Sequence, residues 1–174
     1  MALQEVTFKK NNEKIVIWTI FLDSIKLLKE KLIEKGIYPL VITGSTSQDD
    51  RESFLDSFCR GKSMVLITNP KTLGESVSLH KACHLAIYLE YDYNLTNMIQ
   101  SRDRIHRLGL EKGQKTEYIY MIMGSDSYDL FDIDKKIYYR LKEKEEIMLK
   151  AVEGDDLVYV DDNYREDIKF ILGH

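Results

Sequence analysis

Lys14-Ile-Val-Ile-Trp-Thr-Ile-Phe21 is apolar or β-branched at every position after its lysine. A strand half-exposed to water alternates polar and apolar residues. One buried on both faces reads as a continuous run of this kind. The stretch therefore predicts a central strand of a sheet covered on both sides. Downstream, Asp23 is placed to cap a helix with Ile25, Leu28, Leu32 and Ile33 at helical spacing, and Gly36 stops it. The alternation continues. Strands are predicted at Tyr38–Thr43, Met64–Thr68, His84–Leu89 and Thr116–Met123. A helix from Ser47 to Gly61 opens on a Ser-x-x-Asp start, and further helices are predicted near Glu75–Lys81 and Leu95–Arg107. Strands separated by helices imply right-handed crossovers. The fold expected is α/β, a doubly wound parallel sheet with helices on both faces.

Beyond the sheet, a helix from about Asp129 to Lys150 carries Ile133, Ile137, Leu141 and Met148 on one face, and is expected to pack back on the sheet. The division expected is a polar linker over residues 1–13, one domain over 14–153, and an acidic appendage over 154–174. The appendage ends in the apolar cluster Ile168, Phe170, Ile171 and Leu172. There is no internal repeat.

The 174 residues carry a net charge of −4. A free-standing nucleic-acid binder is usually basic, so this balance counts against autonomous tight DNA binding while leaving room for a local basic site. No apolar run approaches the roughly 20 residues that span a bilayer, and the polar first twelve residues lack the order of a signal peptide. Two cysteines form no disulfide framework. A cytoplasmic protein without a membrane partner is expected, monomeric as an isolated fragment.

Two chemical sites fail on sequence grounds. Gly61-Lys62-Ser63 looks like the tail of a phosphate loop, but Asp56 stands where that loop needs glycine. Helix also precedes it and strand follows, the reverse of the required order. Nor does an Asp-Glu pair end a strand to hold magnesium. His80, Cys83 and His84, with Cys59, make one cluster where a structural zinc site uses paired short spacings; packing is the expected role and no metal is assigned. The informative stretch is Gln100-Ser-Arg-Asp-Arg-Ile-His-Arg-Leu-Gly109. On a helix Gln100, Arg104 and Arg107 recur at i, i+4 and i+7, one amide and two guanidinium groups suited to phosphate oxygens. From spacing alone, a solvated face with an Asp103–Arg107 pair is the preferred reading.

That stretch resembles helicase motif VI of the Swi/Snf-type superfamily 2 DNA-dependent ATPases, Gln-x-x-x-Arg-x-His-Arg-x-Gly. Lys14–Phe21 resembles their motif IV. Thr43-Gly-Ser-Thr-Ser47, with Arg51 and Phe58 after it, resembles their Gly-Ser-Thr segment. Leu73-Gly-Glu-Ser-Val-Ser-Leu79 and Ala82 resemble motif V, with Ser76 and Ser78 replacing a glycine and an asparagine. Glu90-Tyr-Asp-Tyr-Asn94 stands where the family has an acidic residue, aromatics and Asn. The likeness runs in order from about Lys14 to about Ala151.

The resemblance implies the second RecA-like lobe of a two-lobed motor. ATP with Mg2+ would be held mainly by a separate N-terminal RecA-like lobe, joined in the same polypeptide. Arg104 and Arg107 would reach the γ-phosphate, with Gln100 positioning them and His106 as support; Gly74 and Glu75 would also approach the nucleotide. Double-stranded DNA would cross the opposite rim, on Thr19, Gly44, Ser45, Thr46, Arg51, Thr72 and Ser76. Helix capping is an equally open role for the Ser/Thr group. Two other readings remain: the corresponding lobe of an RNA helicase, and a non-catalytic protein-binding module of the same fold.

Overall fold

The structure is a computed structural model that describes residues 13–73, 77–107, 113–123, 133–153 and 164–172. Its sheet holds β1 (Ile15–Trp18), β2 (Leu40–Ile42), β3 (Val65–Thr68), β4 (Leu85–Tyr88) and β5 (Glu117–Tyr120) in the order β2-β3-β1-β4-β5. Every pairing is parallel; Ile17 lies beside both Ile67 and Ile87. Chain order makes β1 leave toward β2 and β4 leave toward β5. Right-handed crossovers in opposite directions put helices on opposite faces.

Side chains agree with that assignment. On one face Ile25 and Leu32 of α1 (Leu22–Ile33) join Ile15, Ile17, Val65, Ile67, Leu85 and Ile87 in a buried cluster. The alternate residues serve the other face. There Tyr88 shares a 2.7 Å hydrogen bond with Ser101 of α3 (Leu95–Asp103), both groups buried. Trp18, Tyr88 and Tyr120 stack in succession across β1, β4 and β5. Phe58 of α2 (Gln48–Arg60) is fully buried, with the Lys14 ammonium 5.5 Å from its ring centre.

Local chemistry sets the helix ends. Ser47 caps α2, its hydroxyl accepting from Asp50 N–H at 3.2 Å. The Lys14 ammonium closes the other end by donating to the carbonyls of Phe58, Cys59 and Gly61. A Cβ on Gly61 would stand 2.3 Å from the Ser57 carbonyl oxygen, so this turn requires glycine. After α1 the chain turns through Gly36 at φ +77°, a left-handed conformation.

Three expectations are corrected. Asp23 does not cap α1: it lies inside the first turn, and the capping position is held by Phe21, whose side chain accepts nothing. No helix forms over the described residues near Glu75–Lys81, because Leu79 N–H donates to the Arg104 carbonyl at 2.7 Å and the chain then turns at once, with Ala82 and Cys83 N–H both donating back to the Leu79 carbonyl. The helix predicted to reach Arg107 ends at Asp103.

Contacts divide the chain into two compact units, Met1–Glu90 with Ile99–Met121, and Tyr91–Met98 with Ile122–His174. The second groups α4 (Ile133–Glu153) with α5 (Tyr164–Leu172), across the 153/154 boundary expected from sequence. Asp167 accepts from Lys144 at 2.5 Å and Arg140 at 2.8 Å, and Lys136 donates to the Ile171 carbonyl. Leu141 and Ile171 are buried, while Ile133, expected on the packed face, is exposed. No helix among the described residues is long and apolar enough to cross a membrane.

Candidate functional site: a carboxyl rim and an arginine turn

In an open parallel sheet the crevice lies beyond the carboxyl ends of adjacent strands whose crossovers diverge. Here those strands are β1 and β4, and the Glu90 carboxylate occupies the position. One oxygen accepts from Thr19 Oγ1 at 2.7 Å, Ile20 N–H at 3.1 Å and Phe21 N–H at 3.0 Å; the other accepts from the Ser24 hydroxyl. Burial raises the carboxyl pKa, but the bonds from Ser24, Thr19, Phe21 and Ile20 outweigh it and hold Glu90 below the ordinary glutamate value. The start of α1, where backbone N–H groups would meet an anion, is filled by the chain's own carboxylate.

Thr19 must therefore be corrected. It was expected to meet DNA, but it is fully buried and its hydroxyl is committed to Glu90. Its hydroxyl lies beneath the surface at the end of β1, turned away from solvent.

The neighbouring loops complete a rim. After β2, Thr43 N–H donates to Thr46 Oγ1 at 2.9 Å and Thr46 N–H to the Thr43 carbonyl at 3.1 Å, so Gly44 and Ser45 stand exposed at the tip of a closed turn. After β3, Asn69 folds the chain back. Its Oδ1 accepts from Lys71 N–H at 2.9 Å, its carbonyl accepts from Thr72 N–H at 2.9 Å, and its amide donates to the Ile20 carbonyl at 3.2 Å. Arg51 bridges the last two loops, Nη1 donating to the Thr72 carbonyl at 2.9 Å. Beneath the rim, Trp18 Nε1 and Thr68 Oγ1, on neighbouring strands in register, are buried with no hydrogen-bond partner among the described residues. Gly44, Ser45, Thr46, Arg51 and Thr72 are thus gathered on one edge. Gly74, Glu75 and Ser76 lie outside the described residues.

Motif VI lies at the other edge of the sheet. Tyr118, near the start of β5, donates to the Arg102 carbonyl at 3.2 Å, and Thr116 donates to that of Ile105 at 3.5 Å. The final helical turn tightens: Arg104 and Ile105 N–H bond three residues back, His106 N–H four. Gln100 is exposed on the helix, Arg104 is half-buried in the turn, and Arg107 is exposed beyond it. The expected i, i+4, i+7 face is therefore broken after Asp103. Its cause is long-range, since the Arg104 carbonyl is taken by Leu79 N–H and Arg104 Nη1 reaches the Val77 carbonyl at 3.5 Å. Beside this turn opens a groove of about 520 Å³, with Arg102, Asp103, His106, Lys115 and Tyr118 among its walls. Burial pushes the Tyr118 phenol up to about 12, so it remains a donor at neutral pH.

Three of the four residues weighed as ligands are engaged within the fold. Cys83 donates to the carbonyls of Lys14 and Leu85, His80 shares a hydrogen bond with Ser78, and His84 one with Gln114. Burial raises the Cys83 thiol to about 12.

A parallel sheet with one polar rim and an arginine turn tied to the segment before β4 describes a helicase lobe. Residues 1–109 match the helicase conserved C-terminal domain, and the chain belongs to that family. Its relatives are of the Snf2 type. An ATP-dependent helicase of Mycoplasma pneumoniae is 28% identical over 147 residues, 84% of this chain and 13% of that protein. The SNF2 domain-containing protein CLASSY 4 of Arabidopsis thaliana is 29% identical over 122 residues, 66% of this chain and 10% of that protein. The chain thus spans about a tenth of the length of these relatives. The crystal structure of the C-terminal part of the Fun30 ATPase domain superposes with a TM-score of 0.67 at 26% identity, covering 80% of this chain and 44% of that one.

Sequence reasoning missed Glu90 and Asn69 as organisers of the rim. Glu90 was legible only as part of a family block, and the bonds it makes span 66 to 71 residues.

Proposed function

We propose that this chain is the C-terminal lobe of an ATP-dependent DNA translocase, supplying arginine fingers to a nucleotide held on an N-terminal lobe and gripping duplex DNA with its carboxyl rim. The observation that carries this reading is the tie between motifs V and VI. Two hydrogen bonds join Val77 and Leu79 to Arg104, and Arg107 projects from the turn so fixed.

In phosphoryl transfer, charge gathers on the equatorial oxygens of the γ-phosphate, and a guanidinium fork placed there lowers the barrier without donating a proton. Arg107 is exposed, as a finger crossing a cleft requires, and its planar fork suits phosphate oxygens. Arg104 is partly withdrawn and fixes the turn as well as facing the nucleotide. Gln100 stands one helical turn before Arg104 and orients the same phosphate network. Mg2+ neutralises phosphate charge when bound; its ligands and the phosphate loop belong to the N-terminal lobe. The family resemblance adds Gly74 and Glu75 to the residues assigned to the nucleotide. The rim offers Gly44, Ser45, Thr46, Arg51 and Thr72, a backbone-gripping set that reads no base, to which the family resemblance adds Ser76. Closing and opening of the two lobes would move the motor along the duplex.

The test is DNA-stimulated ATP hydrolysis by the full-length parent, wild type against Arg107→Ala. A fall of about 10³-fold or more with folding intact is expected. Hydrolysis unchanged by the substitution removes the finger from Arg107, and stimulation by RNA in place of duplex DNA transfers the lobe to the RNA helicases.

A further inference from the structure

The rim loops are not independent. From Glu90 a continuous set of hydrogen bonds runs to the Thr19–Phe21 turn, from the Ile20 carbonyl to the Asn69 amide, and through Asn69 to the Lys71 and Thr72 N–H groups. The Thr72 carbonyl then receives Arg51, a residue of α2. Three strand ends are thereby held in a single arrangement by the side chains of Glu90 and Asn69, neither of which lies among the residues assigned to DNA, and Arg51 ties α2 to it.

Two features make this more than ordinary loop packing. A carboxylate accepting four hydrogen bonds, two from backbone N–H groups, is a strong anchor because each bond is charge-assisted. Asn69 is bifunctional: its amide donates to the Ile20 carbonyl while its oxygen accepts from Lys71 N–H, so one planar group joins the two turns. Lys71, at the tip of the second turn, is exposed.

We propose that Glu90 and Asn69 are positioning residues for the DNA rim, forming a relay that presets the Lys71–Thr72 turn and, through Arg51, the α2 start. This rests on the reading of the rim as a DNA surface. A rim set in advance binds a duplex without ordering its loops at the moment of contact. Loss of the relay therefore weakens DNA binding and leaves the chemical step intact.

The experiment uses the full-length parent with Glu90→Gln, which is isosteric, Asn69→Asp, which keeps the acceptor for Lys71 and loses the donor to Ile20, and the pair combined. Amide hydrogen exchange and the duplex concentration for half-maximal ATPase stimulation are measured together. Glu90→Gln should speed exchange at Lys71 and Thr72 as well as at Ile20 and Phe21. Each single variant should raise the half-maximal DNA concentration about tenfold, with the rate at saturating DNA within about twofold of wild type. The double variant should be no worse than the weaker single. Faster exchange confined to Ile20 and Phe21, or an unmoved half-maximal concentration, overturns the relay. A wild-type parent indifferent to DNA overturns the DNA reading of the rim, and the exchange data tell that result from a broken relay.

Discussion

The carboxyl rim and the arginine turn handle their polar side chains in opposite ways. At the rim nearly every polar group is turned inward: Thr19 to Glu90, Thr46 to the Thr43 N–H, Asn69 to two backbone partners, Arg51 to the Thr72 carbonyl. What remains exposed is Lys71 and small residues such as Gly44 and Ser45. At the turn the backbone is fastened instead, through Leu79, Thr116 and Tyr118, and the Arg107 side chain is left exposed. A surface that holds a regular polyanion through N–H groups needs a fixed main chain, so its side chains serve as struts. A finger that must meet a phosphate on another lobe needs a fixed root and an available tip.

That contrast breaks first at Arg104. If the turn works as a root, Arg104→Lys keeps the charge but not the fork that reaches Val77, and should cost the parent about 10²-fold in hydrolysis at saturating ATP and DNA. Arg104→Ala should cost at least as much. Were Arg104→Lys to retain full activity, charge alone would suffice and the tie to motif V would lose its functional meaning.

Glu90 sharpens the comparison on the rim side. Its folded pKa lies below its ordinary value, so its contribution to stability is fully present above the unfolded pKa and is lost as pH falls through the folded one. Urea unfolding between pH 7 and pH 3 should show wild-type stability falling below about pH 4.5. Glu90→Gln should be less stable at pH 7 by about 1–3 kcal/mol, the worth of hydrogen bonds to a charged acceptor. The two curves should converge in acid. Parallel curves would mean that Glu90 titrates alike in folded and unfolded chains, and that the rim lacks an ionic anchor.

How much of this was legible beforehand follows the range of the interactions. β1, β3 and β4 announce themselves through continuous apolar runs, since burial on both faces is a local compositional demand, and the Ser47 cap is readable from four consecutive residues. Expectation fails where a partner far along the chain decides the outcome. The helix through Arg107 has sound periodicity, yet it stops because Leu79, 25 residues earlier, takes the Arg104 carbonyl. Thr19 looks like a surface hydroxyl until Glu90 arrives from the end of the neighbouring strand β4, 71 residues later. The ordered motif blocks named the family, but a motif gives residue identity and not exposure. The resemblance thus assigned Arg51 to DNA without revealing its bond to Thr72.

The smallest effect tests whether the rim is shaped for more than folding. Thr68 and Trp18 keep buried polar atoms without partners among the described residues, directly under the rim. Such a hydroxyl costs about 1–3 kcal/mol of desolvation that valine, similar in shape, would not incur. Thr68→Val should therefore raise the unfolding free energy by about 1 kcal/mol in urea titration, with an unchanged m-value. If the polar floor serves the rim, the stabilised variant should also need more duplex DNA for half-maximal ATPase stimulation, a cost that a pure packing position would not show. A variant less stable than wild type would instead mean that the hydroxyl is hydrogen-bonded in solution, which would make Thr68 another strut beneath the rim.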